Sequence, residues 1–186
     1  PHDIPGMVEL MGGTERVIAD LDTMFDKTPT DFLWNAYYNH ANEPVHHVPF
    51  LYNHLGHPWK TQKLSRFICD KAYKNKVEGL VGNEDVGQMS AWYVLAACGL
   101  YPVCPGDTRY EISSPVFEKT EIQVGEGNTF IIRANRNTPE NTYIQSAKLN
   151  GTDYTRCYLD YRDIMKGGVL ELEMGPEPNT NWGVNN

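Results

Sequence analysis

The sequence predicts an α+β protein in which the helices come first and the strands follow. Up to Gly99 the apolar residues recur at the spacing of amphipathic helices. From Arg109 onward they alternate along short runs that turn residues separate, as in an antiparallel sheet with one solvated face. We therefore divide the chain into a helical region, residues 1–106, and an antiparallel, β-sandwich-like region, residues 107–186.

The apolar spacing and the prolines predict four helices in the first region. Thr14 can cap the first helix, which ends before Pro29. Pro44 opens the second, and Pro49 inside it must kink or shorten it. The third begins near Pro58, and the fourth covers residues 88 to 98. Because this fourth segment is apolar nearly all round, we expect other elements to surround it.

Short β-type runs in the second region predict five strands. These runs cover residues 110–112, 121–124, 129–134, 143–149 and 169–174. Asn150-Gly151 is the dipeptide most typical of a tight hairpin turn. With Thr152 it also fits a glycan acceptor, but we favour the turn.

Composition excludes several classes of function. With 16 basic and 24 acidic side chains the formal net charge is −8, so we expect no nucleic-acid partner. No run of about 18 apolar residues occurs, so we expect no membrane span. The four cysteines, Cys69, Cys98, Cys104 and Cys157, match no metal-binding or disulfide pattern, and we expect buried thiols. A chain that opens on Pro1 without a leader is expected to be part of a longer protein.

The first candidate site lies among the histidines, all six of which precede residue 58. Asn42 and Glu43 place an amide and a carboxylate directly before a predicted helix start, and His46 and His47 follow one turn later. This segment therefore offers hard oxygen ligands beside groups that hydrogen-bond sugars. The alternative is that Asn42 or Glu43 only caps the helix, while the histidines divide between core and solvent.

The second candidate site is a Gly-rich turn, residues 82–88, that meets the fourth predicted helix. Asp85 and Gln88 have the spacing of a capping box, so Asp85 can satisfy free amides at the helix start. An ionised carboxylate there also suits a metal ligand or a base that orients water. The two roles can coexist.

A colinear set of motifs spans almost the whole chain. It comprises residues 1–6, Asn42-Glu43-Pro44 with His46-His47, and residues 56–62, 79–93, 99–106, 143–145, 149–151 and 174–176. In these motifs the sequence resembles the C-terminal part of the calcium-dependent exo-α-mannosidases of glycoside hydrolase family 92. The resemblance implies that the helical region is the end of an (α/α)6 toroid. It also implies an enzyme that removes terminal α-linked mannose from glycans with inversion.

Inverting glycosidases use one carboxylic acid on the leaving oxygen and one carboxylate that activates water. The resemblance implies that this base is sought at two acidic positions, of which Asn83 occupies the first and Asp85 the second. An amide cannot accept a proton, so the role of base falls to Asp85 alone. It places the general acid, a glutamate, before Pro1. We therefore expect residues 1–186 alone to be inactive and to self-associate through an exposed toroid surface.

The resemblance also implies a Ca²⁺ ion held by oxygens of Asn42 and Glu43 with Asp85 nearby. It implies that Glu43, His46 and His47 bind the substrate. By the same resemblance we expect a location outside the cytoplasm, periplasmic or secreted, and the linkage specificity stays open.

Two other functions fit parts of the sequence. Glu43, His47 and His54 share one helical face, as in a zinc hydrolase, but Pro49 interrupts that helix and no HExxH pattern occurs. The region from residue 109 to 182 could instead be a non-catalytic sugar-binding module, although its aromatic residues share no alternating face.

Overall fold

A computed structural model of the chain describes residues 1–184. It confirms the predicted α+β class. Six α-helices occur in these residues: α1 (Ile4–Leu10), α2 (Thr14–Lys27), α3 (Leu51–His54), α4 (Pro58–Ala72), α5 (Gln88–Cys98) and α6 (Tyr161–Met165). Eight strands occur: β1 (Leu100–Tyr101), β2 (Arg109–Ile112), β3 (Lys119–Gln123), β4 (Thr129–Asn135), β5 (Tyr143–Leu149), β6 (Thr152–Asp153), β7 (Tyr158–Asp160) and β8 (Gly168–Gly175). None of the helices in this part of the chain has the length and apolar character needed to cross a lipid bilayer.

The segment between Pro44 and Gly56 is broken up as its prolines require. It forms two single 3-10 turns, Glu43–Val45 and Val48–Phe50, before the short α3. Each proline lacks the amide that a continuous helix would use. The predicted kinked or short helix is therefore confirmed.

Two details of the prediction for the first region differ from the structure, and α6 in the second region was not predicted. Thr14 is the first residue of α2 and not its cap, and Gly13 at the cap position makes no side-chain hydrogen bond. Helix α1 was not predicted, because only Ile4 is buried in it and no apolar stripe shows. Asp3 stabilises its start by accepting a 2.9 Å hydrogen bond from the Gly6 amide.

One face of helix α5 is buried in the core, and another face is exposed to solvent. Met89, Trp92, Ala96 and Ala97 lie in the core, whereas Val94 is 57% exposed. The expectation that other elements surround this helix was therefore wrong for the described residues. An apolar helix with an open face leaves hydrophobic surface for a further partner.

The five predicted strands occur as β2, β3, β4, β5 and β8. Strands β1, β6 and β7 were missed, because two or three residues are too few to show alternation. One sheet has the order β3-β4-β8-β5-β6 and the other the order β1-β2-β7. In the described part of the chain every pair is antiparallel except β4 with β8.

The Asn150-Gly151 turn forms as predicted. Leu149 pairs with Thr152 across it, and both central residues have positive φ, 52° and 79°. Positive φ at both positions is what a type I′ hairpin turn needs. Strand β8 lies between β4 and β5, and its alternating Leu170, Leu172 and Met174 are buried in the core of the sheet.

A buried polar junction joins the two regions. The Asn53 amide on α3 donates to the Glu111 carboxylate on β2 at 2.9 Å and to two carbonyls of the β region at 3.0 Å. Arg109 donates to the same carboxylate, and His54 Nε2 lies 2.9 Å from it. Strand β1, at the end of the helical region, also connects the two regions because it pairs with β2 of the β region. The division at residues 106 and 107 stays a prediction.

Candidate active site

The segment that carries Asn42 and Glu43 is a single turn with free side-chain oxygens. Asn42 stands at the cap position of the turn, yet its side chain makes no capping hydrogen bond. Oε1 of Glu43 is shielded from solvent and has no hydrogen-bond partner within residues 1–184. The capping alternative for Asn42 is therefore not realised. A buried carboxylate oxygen without a partner is costly, so this position favours a cation or a donor from a ligand.

The turn before α5 is held in an unusual backbone conformation. Asp85, Val86 and Gly87 have φ values of 39°, 59° and 88°, all in the left-handed region. A β-branched residue rarely adopts this region, and the cost is on the order of 1–3 kcal/mol per residue. The turn therefore directs its side chains at an energetic cost that the surrounding contacts must offset.

Glu84, not Asp85, caps α5. Its carboxylate accepts hydrogen bonds from the Ser90 amide at 2.8 Å and from the Ser90 hydroxyl at 2.6 Å. These hydrogen bonds hold the pKa of Glu84 below its usual value. Asp85 is exposed, and no hydrogen bond or ion pair within the described residues holds its carboxylate. The capping role that the sequence suggested for Asp85 is therefore performed by Glu84. Asn83 is exposed and lies outside any helix.

The two candidate segments lie side by side. A β-carbon on Gly82 would come within 2.6 Å of the Ala41 carbonyl oxygen, so only glycine allows this approach. At the other end of the turn, Gln88 Nε2 lies 3.2 Å from Nδ1 of His46, and Trp92 donates to the His46 carbonyl at 3.0 Å. The contacts at both ends hold the turn containing Asp85 against the segment that contains Asn42 and Glu43.

His40 stands at the centre of a buried aromatic network. Tyr73 donates its hydroxyl proton to the Met89 carbonyl at 3.0 Å, so it must accept from His40 Nε2 at 2.7 Å. His40 Nδ1 then accepts from the Tyr38 hydroxyl at 2.9 Å. Burial, together with the adjacent His46 ring, lowers the pKa of His40 to about 2. The ring is therefore neutral, with its proton on Nε2.

His46 is 1% exposed and stacks on His40 with ring centroids 4.5 Å apart. Its Nε2 faces the His40 carbonyl at 2.9 Å and must donate to it. Burial lowers the pKa of His46, so the ring is neutral and Nδ1 accepts the proton that Gln88 offers. Both ring nitrogens are engaged by protein groups. His47 is half-buried, and burial lowers its pKa as well.

The residues of the zinc alternative do not assemble. His54 pairs with Glu111 at the junction with the β region, away from the turn that carries Glu43. Within residues 1–184 no group of three or more His, Cys, Asp or Glu side chains is arranged to hold a metal ion. The set Asn42, Glu43 and Asp85 has only two carboxylates, so it falls outside such groups.

The aromatic residues of the β region mostly serve its core. Phe130 and Trp182 are buried there. Phe117 and Tyr161 are exposed, and Tyr161 stacks on Tyr110 with centroids 6.4 Å apart. Phe117 lies between β2 and β3 and Tyr161 begins α6, so the exposed rings do not line one strand.

Three residues of the site escaped the sequence analysis. His40 was counted among the clustered histidines, but nothing in its spacing marked it as a buried partner of His46. Gln88 was noted only for its capping-box spacing with Asp85. Tyr73 gave no signal, because its role depends on a contact across 33 positions of the chain.

Residues 1–176 match the family described as "Glycosyl hydrolase family 92 catalytic domain". A protein of Arthroderma benhamiae named "Uncharacterized secreted glycosidase" is 35% identical over 187 residues, which are 99% of this chain and 23% of that protein.

Two structures from Bacteroides thetaiotaomicron are similar. A GH92 inverting mannosidase is 41% identical with a TM-score of 0.89, covering 99% of this chain and 27% of that chain. A GH92 α-mannosidase is 39% identical with a TM-score of 0.86, covering 93% and 23%. The chain thus spans about a quarter of the length of these relatives.

Proposed function

Because this chain belongs to glycosyl hydrolase family 92, we propose that it supplies part of the active site of an enzyme that removes terminal α-linked mannose from glycans with inversion. One observation carries the proposal. The segment with Asn42 and Glu43 and the turn with Asp85 are distant in sequence, but are packed together at Gly82 and at Gln88.

Asp85 is the proposed general base. In an inverting hydrolysis the base accepts a proton from the water that attacks the sugar. The Asp85 carboxylate is exposed, and the helix cap is provided by Glu84 instead, so Asp85 is free to accept that proton. Asn83, two residues earlier, can orient a water by hydrogen bonding but cannot take its proton. The general acid would come from a glutamate outside residues 1–186.

Asn42, Glu43 and Asp85 are the proposed ligands of a Ca²⁺ ion. Their amide and carboxylate oxygens are the donors that this cation prefers. Support comes from Oε1 of Glu43, which is buried without a partner among the described residues, and from the side chain of Asn42, which makes no capping hydrogen bond. A bound calcium ion would supply positive charge for the 2- and 3-hydroxyls of mannose. Glu43 and His47 are the proposed direct sugar contacts, whereas the engaged nitrogens of His46 favour a supporting role.

The test of the base is Asp85→Asn in the full-length protein. We expect turnover of an aryl α-mannoside to fall by at least a thousandfold, on the order of the loss for an essential acid or base. In the calcium-free protein the melting temperature should not change, because the Asp85 carboxylate has no hydrogen bond or ion pair within residues 1–184 to lose. Asp153→Asn, an exposed change on β6, is the matched control and should keep full activity. Full turnover by Asp85→Asn would refute the assignment.

The test of the ion is removal of divalent metals with EDTA. We expect activity and melting temperature to fall together and both to return with Ca²⁺, because a ligand that binds only the folded state stabilises it. Glu43→Gln should remove the stabilisation by Ca²⁺. Recovery with Zn²⁺ but not with Ca²⁺ would instead favour the zinc alternative.

The isolated chain is proposed to be inactive and to self-associate. Its exposed apolar side chains support this: Leu10, Trp34, Phe67, Val77 and Val94. Light scattering that gives a monomer, with no binding of a hydrophobic dye, would contradict self-association.

We also propose a location outside the cytoplasm, in keeping with the relative named as secreted. Fractionation of the producing cells tests this location.

If the chain were only a sugar-binding module, mannose titration of residues 107–186 would give heat.

A further inference from the structure

A short path of hydrogen bonds connects the main chain of Glu43 to the main chain of Asp85. The His46 amide donates to the Glu43 carbonyl at 3.0 Å. The Gln88 side chain, Nε2, lies 3.2 Å from Nδ1 of the same histidine. The Gln88 amide donates to the Asp85 carbonyl at 3.2 Å. Two residues, His46 and Gln88, therefore bridge the two candidate segments.

The chemistry of His46 decides the direction of the central hydrogen bond. Its Nε2 can only donate, because the group opposite is the His40 carbonyl. A neutral imidazole carries one proton, so Nδ1 is an acceptor and needs a donor at position 88. The NH₂ group of Gln88 is that donor, and its second contact is the Tyr101 hydroxyl at 3.3 Å.

His46 is buried and held by several contacts, whereas the backbone of the Asp85 turn is strained. The ring of His46 stacks on His40, and Trp92 holds its carbonyl at 3.0 Å. The turn is exposed and adopts left-handed backbone angles that its residues do not favour on their own. The hydrogen bond that the Ser90 amide donates to Glu84 stays within the turn and α5, so it does not fix the distance to Glu43.

We propose that Gln88 is a positioning residue that, through His46, sets the separation of the base Asp85 from Glu43. This inference rests on the proposed function, in which both residues act on one sugar. A displacement of about 1 Å in a reacting group can cost on the order of a hundredfold in rate. Gln88 therefore controls the chemical step without touching the substrate.

The experiment compares Gln88→Met with two matched controls in the full-length protein. Methionine keeps the length of the side chain but donates no hydrogen bond. Ser90→Ala removes one hydrogen bond of the same turn that does not bridge to the histidine. Tyr101→Phe removes the second contact of Gln88 and leaves the first. We expect kcat to fall 10- to 100-fold in Gln88→Met with KM within threefold, and both constants to stay within threefold in the controls.

Backbone hydrogen exchange over residues 42–48 gives a second measurement that does not depend on activity. We expect faster exchange there in Gln88→Met and no change in Ser90→Ala. Wild-type kcat and normal exchange in Gln88→Met would overturn the inference. An equal loss of kcat in Ser90→Ala would also overturn it, because a general weakening of the turn would then suffice. If the wild-type protein has no mannosidase activity, the proposed function fails, whereas the exchange data still test the bridge.

Discussion

The carboxylate of Glu84 binds the backbone amide and the hydroxyl of Ser90, 2.8 and 2.6 Å away, and thereby closes the N-terminal end of α5. Two neighbouring acidic residues consequently have different roles. Glu84 is used by the fold, while Asp85 keeps a free carboxylate on the exposed side of the turn. This division separates stability from activity at adjacent positions.

Removing the cap should therefore destabilise the protein. We expect Glu84→Ala to lower the urea concentration at the midpoint of unfolding, because the Ser90 amide loses its partner. Urea denaturation measures this change. Glu78→Ala, at an exposed position before the turn, is the control and should change the stability by less than about 0.5 kcal/mol. A larger loss in Asp85→Ala than in Glu84→Ala would contradict the division of roles.

The buried junction predicts a large effect at Glu111. Its side chain is fully buried and is bound by Asn53, Arg109 and His54. Glu111→Gln leaves the half-buried guanidinium of Arg109 without its counterion, and we expect a loss of about 3 kcal/mol. Thermal unfolding gives the measurement.

The matched control for the junction is Glu121→Gln, whose partner Lys119 is half exposed like Glu121 itself. Exposed ion pairs contribute little, so we expect no measurable change in the unfolding temperature. Equal effects of the two substitutions would show that burial is not the cause.

The backbone of the turn predicts a stabilising substitution. Val86 is fully exposed and has a φ of 59°, where a β-carbon is unfavourable. We expect Val86→Gly to raise the free energy of unfolding by about 1 kcal/mol, because glycine adopts this angle without strain. Val77, which is 97% exposed with an ordinary φ, is the control, and Val77→Gly should not stabilise the protein. A loss of stability in Val86→Gly would mean that the turn is unstrained.

The thiols differ in reactivity because they differ in burial. Within residues 1–184 none of the four cysteines forms a disulfide, as expected from their spacing, but only Cys69 and Cys157 are buried. Burial raises the pKa of Cys69 to about 12. Roughly one part in ten thousand is then thiolate at pH 8, and the thiolate is the reactive form.

We therefore expect iodoacetamide at pH 8 to leave Cys69 unmodified in the native protein and to modify it in urea. Half-buried Cys104 is the internal control and should react first. Mass spectrometry of the peptides gives the order of reaction. Native labelling of Cys69 before Cys104 would contradict its burial.

Much of the fold follows from local pattern. Alternation predicted β5 over the same residues that the structure shows, and Asn150-Gly151 predicted the hairpin that follows it. Elements without a local signal were missed: α1 buries one residue, and β6 is two residues long. The parallel pairing of β4 with β8 was also missed, because pairing depends on where a distant strand returns.

The sequence by itself determined the order of the longer helices and strands, the family and the identity of the candidate site residues, because periodicity and motif spacing are local properties. Only the tertiary structure decided which residue does what at the site. Within residues 1–184 Glu84 provides the helix cap, both ring nitrogens of His46 are hydrogen-bonded, and Oε1 of Glu43 is buried without a partner. These roles depend on hydrogen bonds and burial between segments far apart in the chain, which no local pattern specifies.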